Sequence, residues 1–413
     1  MFVTPSPGDL IRLVTGHFVH DPPARLGVAV SGGSDSTALL VLLSGWVGGP
    51  EILAVSVDHG LRAAAAEEAR EVARLCERLG LVHDVLRWQG WDGRGNLMQA
   101  ARHARYGLIA DWARARGIAD VALGHTQDDL AETLLMRLKR GAGLDGLSAM
   151  RERFEHRDVI FHRPLLDLSR ATLRGMLTAR GIAWAEDPTN SDPVFDRARV
   201  REVMQALDLD AQGLAQTARH LRAARSALAQ VAANAAQNLV RFDAGDAVVA
   251  RAALLALPDE IIRRILLGIL SLVGSGGYPP RGAALLRMID AVRSGDETSL
   301  HGARILHRKG DLRVVRDWAA VAGHRVATDQ VWDGRWCAEG PDDACHIAAL
   351  GEAGLPLCPM RKDTGRPAAS LISGPAIWQG TRLIAAPLAG LENGWSLRLT
   401  HAPMSRLRAS LLH

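Results

Sequence analysis

Three short polar clusters carry residue types suited to phosphate and nucleotide chemistry. The first is Ser31-Gly32-Gly33-Ser34-Asp35-Ser36, set between the apolar runs Leu26 to Val30 and Thr37 to Leu43. Adjacent glycines let a backbone take positive φ and approach a ligand closely. The amides at the start of the following helix, with the hydroxyls of Ser31, Ser34 and Ser36, would then face an anion. Asp35 adds a carboxylate able to hold a cation against it. This cradle is neither of two better-known phosphate loops: there is no G-x-x-x-x-G-K-S/T, and no G-x-G-x-x-G follows the strand. A turn that only joined a strand to a helix would seldom combine serines, paired glycines and an aspartate. The second cluster is Asp58-His59, and the third runs from His125 through Asp128 and Asp129 to Glu132. Carboxylates in such clusters suit an ammonium or a metal ion. The imidazoles of His59 and His125 suit nucleotide contact or proton transfer, though either can equally stabilise a loop.

Positioning these clusters on one surface requires a particular arrangement of elements. A lead-in helix is expected around Leu10 to Phe18, then buried strands at Leu26 to Val30, Glu51 to Val57, Val82 to Trp88 and Asp120 to Leu123. Helices alternate with them: one after Ser36, one from Ala64 to Leu79, a long one capped by Asn96, and one carrying Glu132 that ends near Gly141. A further strand from Val159 leads into a helix capped by Ser169. Such alternation predicts an α/β fold with a doubly wound parallel sheet. Ligands of these sheets bind at the carboxyl ends of strands. All three clusters fall at such ends, so the fold itself would bring them to one rim.

The motifs SGGSDS, VDHGLR, NLMQAARHARY, GHTQDDLAETLLMRLKRGAGLDGL, RPLL and WAEDPTNSDPVFDRARVR, in this order, resemble those of the bacterial tRNA(Ile)-lysidine synthetase family of PP-loop ATP pyrophosphatases. The resemblance spans roughly residues 24 to 205. It implies ATP-dependent ligation of free L-lysine to the wobble cytidine of an isoleucine tRNA with a CAU anticodon, through an adenylated base. In that reading Ser31, Gly32, Gly33, Ser34, Asp35, Ser36, Asp58, His59 and His125 bind ATP, and Asp35 holds Mg²⁺. Asp128, Asp129, Glu132, Arg197 and Arg201 bind the substrates, and Asp35, Asp129 and Arg201 are catalytic. One departure is Ala198, which stands where the family commonly has asparagine after the arginine.

A composition shift after Asp210 and a change to strand patterns from Ser299 divide the chain into three expected domains: a catalytic domain over residues 1–206, a helical tRNA-binding domain over 207–320, and a small β-rich domain over 321–413; the resemblance likewise implies C-terminal tRNA-binding modules. Ala211 to Leu239 reads as one long helix. Along it Arg219, Arg222 and Arg225 recur at helical spacing, either facing RNA phosphates or lining a solvated face. Arg308-Lys309-Gly310-Asp311 reads as a basic hairpin tip. The acids of the loop Glu186 to Pro193 serve either as turn caps or in binding.

With 413 residues, nearly half of them hydrophobic, the chain is long enough for two or three domains. A net charge of +4 leans toward polyanionic partners. No apolar run is long enough for a bilayer and no signal segment is visible, so a soluble cytoplasmic protein without a membrane partner is expected; a homodimer is left open. Cys76, Cys337, Cys345 and Cys358 form no C-x-x-C pair, which argues against metal clusters. It also argues against the nearest rival, a tRNA thiolase of the same superfamily. A second rival, a non-catalytic RNA-binding protein, would not need to retain Asp35, Asp58 and the His125 to Glu132 cluster.

Overall fold

The computed structural model describes residues 6–60, 65–89, 91, 97–148, 150–186, 196–274, 280, 282–341 and 344–412. The expected cap Asn96 and the acids at 187–193 lie outside them. The chain forms two compact units, Met1–Arg225 and Ser226–His413. Compactness therefore divides it once, inside a helix. The division near 206 and 320 we keep as a proposal about function.

The first unit contains α1 (Pro7–Gly16), β1 (Arg25–Ala29), α2 (Ser34–Ser44), β2 (Glu51–Asp58), α3 (Ala65–Leu79), β3 (Val82–Arg87), α4 (Leu97–Ala115), β4 (Asp120–Leu123) and α5 (Gln127–Lys139). It continues with α6 (Leu144–Leu147), β5 (Arg153–His156), β6 (Val159–His162), α7 (Arg170–Ala179), α8 (Asp196–Ala206) and the start of α9 (Ala211–Leu239). Its six strands lie in the order β3-β2-β1-β4-β6-β5. All neighbours are parallel except the β5–β6 pair. The chain runs outward from β1 through β2 to β3, then returns to place β4 on the other side of β1, so the order switches between β1 and β4.

Both faces are covered, which is why the central strands are nearly all apolar. Ala54 and Ala122 meet α2, α3 and α7 on one face, while Leu53, Val55, Val121 and Leu123 meet Ile109, Ala110 and Trp112 of α4 on the other. Successive residues thus point to opposite faces. Helix α2 is apolar all round and buried, as a helix wedged between sheet and outer helices must be. The strand expected from Val159 is β6, whereas its edge partner β5 was not visible in the sequence. The turn between them places Arg157 and Asp158 at φ 51° and 62°, a conformation usually signalled by glycine or asparagine.

The second unit is more sheet-rich than the helical signals after Ala211 suggest. It holds β7 (Val240–Asp243), β8 (Asp246–Ala250), α10 (Arg251–Leu255), α11 (Asp259–Val273), α12 (Gly282–Ser294), β9 (Thr298–Leu300), β10 (Ala303–Arg308) and β11 (Asp311–Arg316). The strands form an antiparallel sheet, β7-β8-β11-β10-β9, with α11, α12 and the end of α9 packed on it. The basic hairpin tip is present: Lys309 and Gly310 turn the chain at φ 49° and 88°. The remainder carries small antiparallel sheets around Trp332, Trp336 and Trp395. No helix among the described residues is long and apolar enough to cross a membrane.

Candidate active site

The loop after β1 and the loop after β4 meet at the switch point of the sheet. Gly32 sits at φ +86°, where a side chain would be strained. Gly33 precedes α2 with extended backbone and no side-chain cap, leaving the helix start open. Thr37 N donates to Gly33 O at 3.0 Å, and Ser36 Oγ both donates to Gly33 O and accepts from Ser31 N. The cradle is thereby folded upon itself before any ligand arrives. Gly124 explains how the third cluster comes so close: a Cβ there would lie 2.7 Å from Ser36 Cα and 2.8 Å from its nitrogen. Only glycine permits that approach.

Helix α5 then presents its acids toward the cradle. Thr126 caps it, and Asp129 closes the capping box by accepting from Thr126 N at 2.9 Å through Oδ2. Its other oxygen, Oδ1, is left for cations, lying 3.5 Å from Arg170 and 3.7 Å from Arg197. One turn on, Glu132 is only 2% exposed. Its Oε1 accepts from Arg201 Nε at 2.6 Å. Its Oε2 has no hydrogen-bond partner among the described residues, and Arg197 Nε lies 3.9 Å from it. A buried carboxylate oxygen without a donor is costly unless another group supplies one. The cleft in front of it, about 330 Å³, is lined by Asp128, Glu132, Arg170, Arg201, Gln205 and Asp208 among others.

Arg170, which the sequence reading passed over, is the hub of this arrangement. Its Nε donates to Asp35 Oδ2 at 2.9 Å, its guanidinium reaches Asp129 and Glu132, and its backbone N–H donates to Asp128 Oδ2 at 2.8 Å. It occupies the first position of α7, where the helix dipole disfavours a cation. An arginine placed against the dipole immediately after a serine cap was the available signal. Arg174, one turn later, donates to Ser34 Oγ at 3.3 Å. Sequence reasoning missed it too.

The electrostatics follow from burial and these pairs. Burial pushes the Asp35 carboxyl above its ordinary value, more than Arg170 pulls it down. Geometry nevertheless marks the two as an ion pair. Burial alone would lower the Arg170 value, but Asp129, Asp35 and Glu132 together hold it above the usual arginine range. For Asp129, burial opposes ionisation, but Arg197, Arg170 and the Thr126 amide hold its carboxyl low. Burial drives the His125 imidazole down to about 3. A neutral ring suits the observed contact, in which Arg163 Nε donates to His125 Nδ1 at 3.1 Å, and makes His125 a weak base.

Asp58 and His59 stand at the end of β2, beside the cradle strand, with contacts of their own. Asp58 Oδ1 accepts from Gly60 N, and the His59 ring lies edge-on to Trp88. Burial lowers the His59 value. Ala198 is buried on α8 and, having no polar side chain, makes no such contribution to the cleft.

For Mg²⁺, no group of three histidine, cysteine or acidic side chains among the described residues could enclose an ion. Magnesium on nucleotides commonly takes one or two carboxylates, with phosphates and water completing the shell. Asp35, at the mouth of the cradle with Asp129 close enough to influence it, fits that sparse donor set.

A PP-loop domain model matches residues 10–207. The tRNA(Ile)-lysidine synthase of Ruegeria pomeroyi is 47% identical over 406 residues, covering 97% of this chain and 97% of that protein. The Mesorhizobium japonicum enzyme of the same name is 34% identical over 391 residues, covering 89% and 84%. The structure of a U34-tRNA thiolase from Methanococcus maripaludis is a distant likeness, at 16% identity and a TM-score of 0.45 over 52% of this chain and 77% of that one. With near full-length identity to a relative of that name, and with the cradle, the acidic helix and the arginines in one cleft, the chain belongs to the tRNA(Ile)-lysidine synthase family.

Proposed function

We propose that the protein uses ATP to attach L-lysine to C2 of the wobble cytidine in an isoleucine tRNA with a CAU anticodon. The observation that carries the lysine half is the donorless Oε2 of buried Glu132, a residue lining an open cleft. An ammonium entering there would satisfy it, with Asp129 as second acceptor.

The C2 carbonyl of cytosine is a poor electrophile, so its oxygen attacks the α-phosphorus of ATP first. Pyrophosphate leaves, and the base is adenylated. The ε-amine, after losing a proton, attacks C2; the C2–O bond breaks and AMP departs with that oxygen. The amides of the Ser31 to Ser36 loop and the hydroxyls of Ser31 and Ser34 bind the phosphates, and pre-aimed donors of this kind supply much of the rate. Arg197 and Arg201 orient the acids and bear on the reacting phosphate. Mg²⁺ held at Asp35 would neutralise charge on the phosphate oxygens. The neutral His125 acts as a nucleotide contact in this reading, not as the base.

The test is to incubate the protein with radiolabelled lysine, ATP and a CAU-anticodon transcript. Label is expected in the RNA, with one AMP formed per lysine attached. ATP consumption without label in RNA would overturn the reading.

A further inference from the structure

Three acids from two segments converge on a single guanidinium. Arg170 touches Asp35 from the cradle, Asp129 and Glu132 from α5, and by its backbone Asp128. These contacts are not equally replaceable. Glu132 also has Arg201, and Asp129 also faces Arg197. The contacts of Asp35 are Arg170 and the hydroxyl of Ser34. Arg170 holds Oδ2 and the Ser34 hydroxyl Oδ1, so a cation that takes both oxygens of Asp35 must displace Arg170.

The anchoring of Arg170 suits such an exchange. Its backbone is fixed by the Asp128 contact and by the Ser169 cap, whose side chain accepts from Thr172 N. The side chain is a long, rotatable stem ending 18% exposed at the cleft. The pivot is held while the charge can leave. We infer that Arg170 is a resident counter-cation, holding the acids of both loops in place until an incoming cation takes its position, and thereby setting how tightly the site binds Mg²⁺ and an ammonium. It is a positioning residue. The inference rests on the reading above only in naming which cations arrive.

Exchange has a measurable consequence that a merely structural ion pair lacks. Without Arg170 the acids repel one another in the empty protein, and a cation no longer competes for Asp35. The Arg170→Gln full-length protein should melt below the wild type in the absence of divalent ions. Addition of MgCl2 should restore it, while NaCl of equal ionic strength should not. The MgCl2 concentration giving half of the stabilisation should fall at least about tenfold relative to wild type, equivalent to about 1.4 kcal/mol. Titration with L-lysine should show the same direction. If Arg170→Gln does not fold, Arg170→Lys decides: a single ammonium cannot reach all three acids, so its half-point should also lie below that of wild type. Half-points that coincide within twofold, or a melting deficit that Mg²⁺ does not repair, would overturn the inference. Absence of lysine incorporation by the wild type would defeat the proposed function instead, leaving the magnesium comparison to decide the role of Arg170.

Discussion

The arginines of α9 offer a sharp test, because spacing alone made them candidates for RNA and the structure gives them other partners. Arg219 pairs with Asp167 at 2.7 Å, Arg222 with Glu152 at 2.6 Å and with Met150 O at 2.6 Å, and Arg225 with Asp145 at 3.2 Å. On the same helix Leu214, Ala215, Ala218 and Leu221 pack in one cluster with Leu130 and Leu134 of the helix bearing Asp129 and Glu132. The stripe is a docking face within the first unit. If each arginine bound a phosphate, removing all three would flatten the slope of log affinity against log salt by about 2 to 3 units. As dockers they should change it by less than about 1. Partly exposed ion pairs contribute roughly 0.2 to 1 kcal/mol each, and the charged hydrogen bond from Arg222 to Met150 O about 1.5 to 3 kcal/mol. The triple alanine variant should therefore lose roughly 2 to 6 kcal/mol of stability. Filter binding to tRNA at several salt concentrations, beside urea denaturation, measures both quantities. The exposed tip residues Arg308 and Lys309 are the contrast: replacing both should flatten the slope by roughly 2 units with stability nearly unchanged. A slope loss near 3 with unaltered stability in the α9 variant would refute the docking account.

Asp35→Asn should abolish pyrophosphate release while tRNA affinity stays within a few fold; normal release would remove Asp35 from the ATP chemistry. Replacing all four cysteines by alanine or serine should leave activity within a few fold in a folded protein, because Cys76 is buried with its thiol pushed up to about 11 and no thiolate is needed. A folded but inactive variant would favour the thiolase reading. His125 is neutral in both states above about pH 6.5; below that the unfolded chain takes up a proton that the fold resists down to about 3. Its contribution is thus complete above pH 6.5 and is lost as pH falls, by at most about 1.4 kcal/mol per unit. His125→Gln should flatten the fall in denaturation midpoint between pH 7 and 5, and an unchanged fall would contradict this. A fragment ending at 206 strips α9 from Leu130 and Leu134, so it should melt well below one ending at 225; equal melting would show that α9 does not support the site.

Most elements of the first unit, and the rim they form, are legible from local pattern. Local periodicity marks β1, β2, β4 and α2, α5 and α7, and a parallel sheet has to bring the carboxyl ends of its strands together. Ser31 to Ser36, Asp58, His59 and His125 to Glu132 were therefore legible as neighbours before any coordinate. Ser169 was legible as a cap on the same local grounds. What only the tertiary structure decided is the pairing of charges. Arg170 lies 135 residues from Asp35; its place at the start of α7 against the dipole marks it as unusual, but nothing local says which acid it meets. Likewise Arg219, Arg222 and Arg225 share a helical face whatever that face meets, and it is the packing of Ala215 and Ala218 on α5 that turns it inward. Helical spacing says which side chains travel together. Which opposite charge they reach depends on long-range contacts, because ion pairs form across distances in the chain that no periodicity spans.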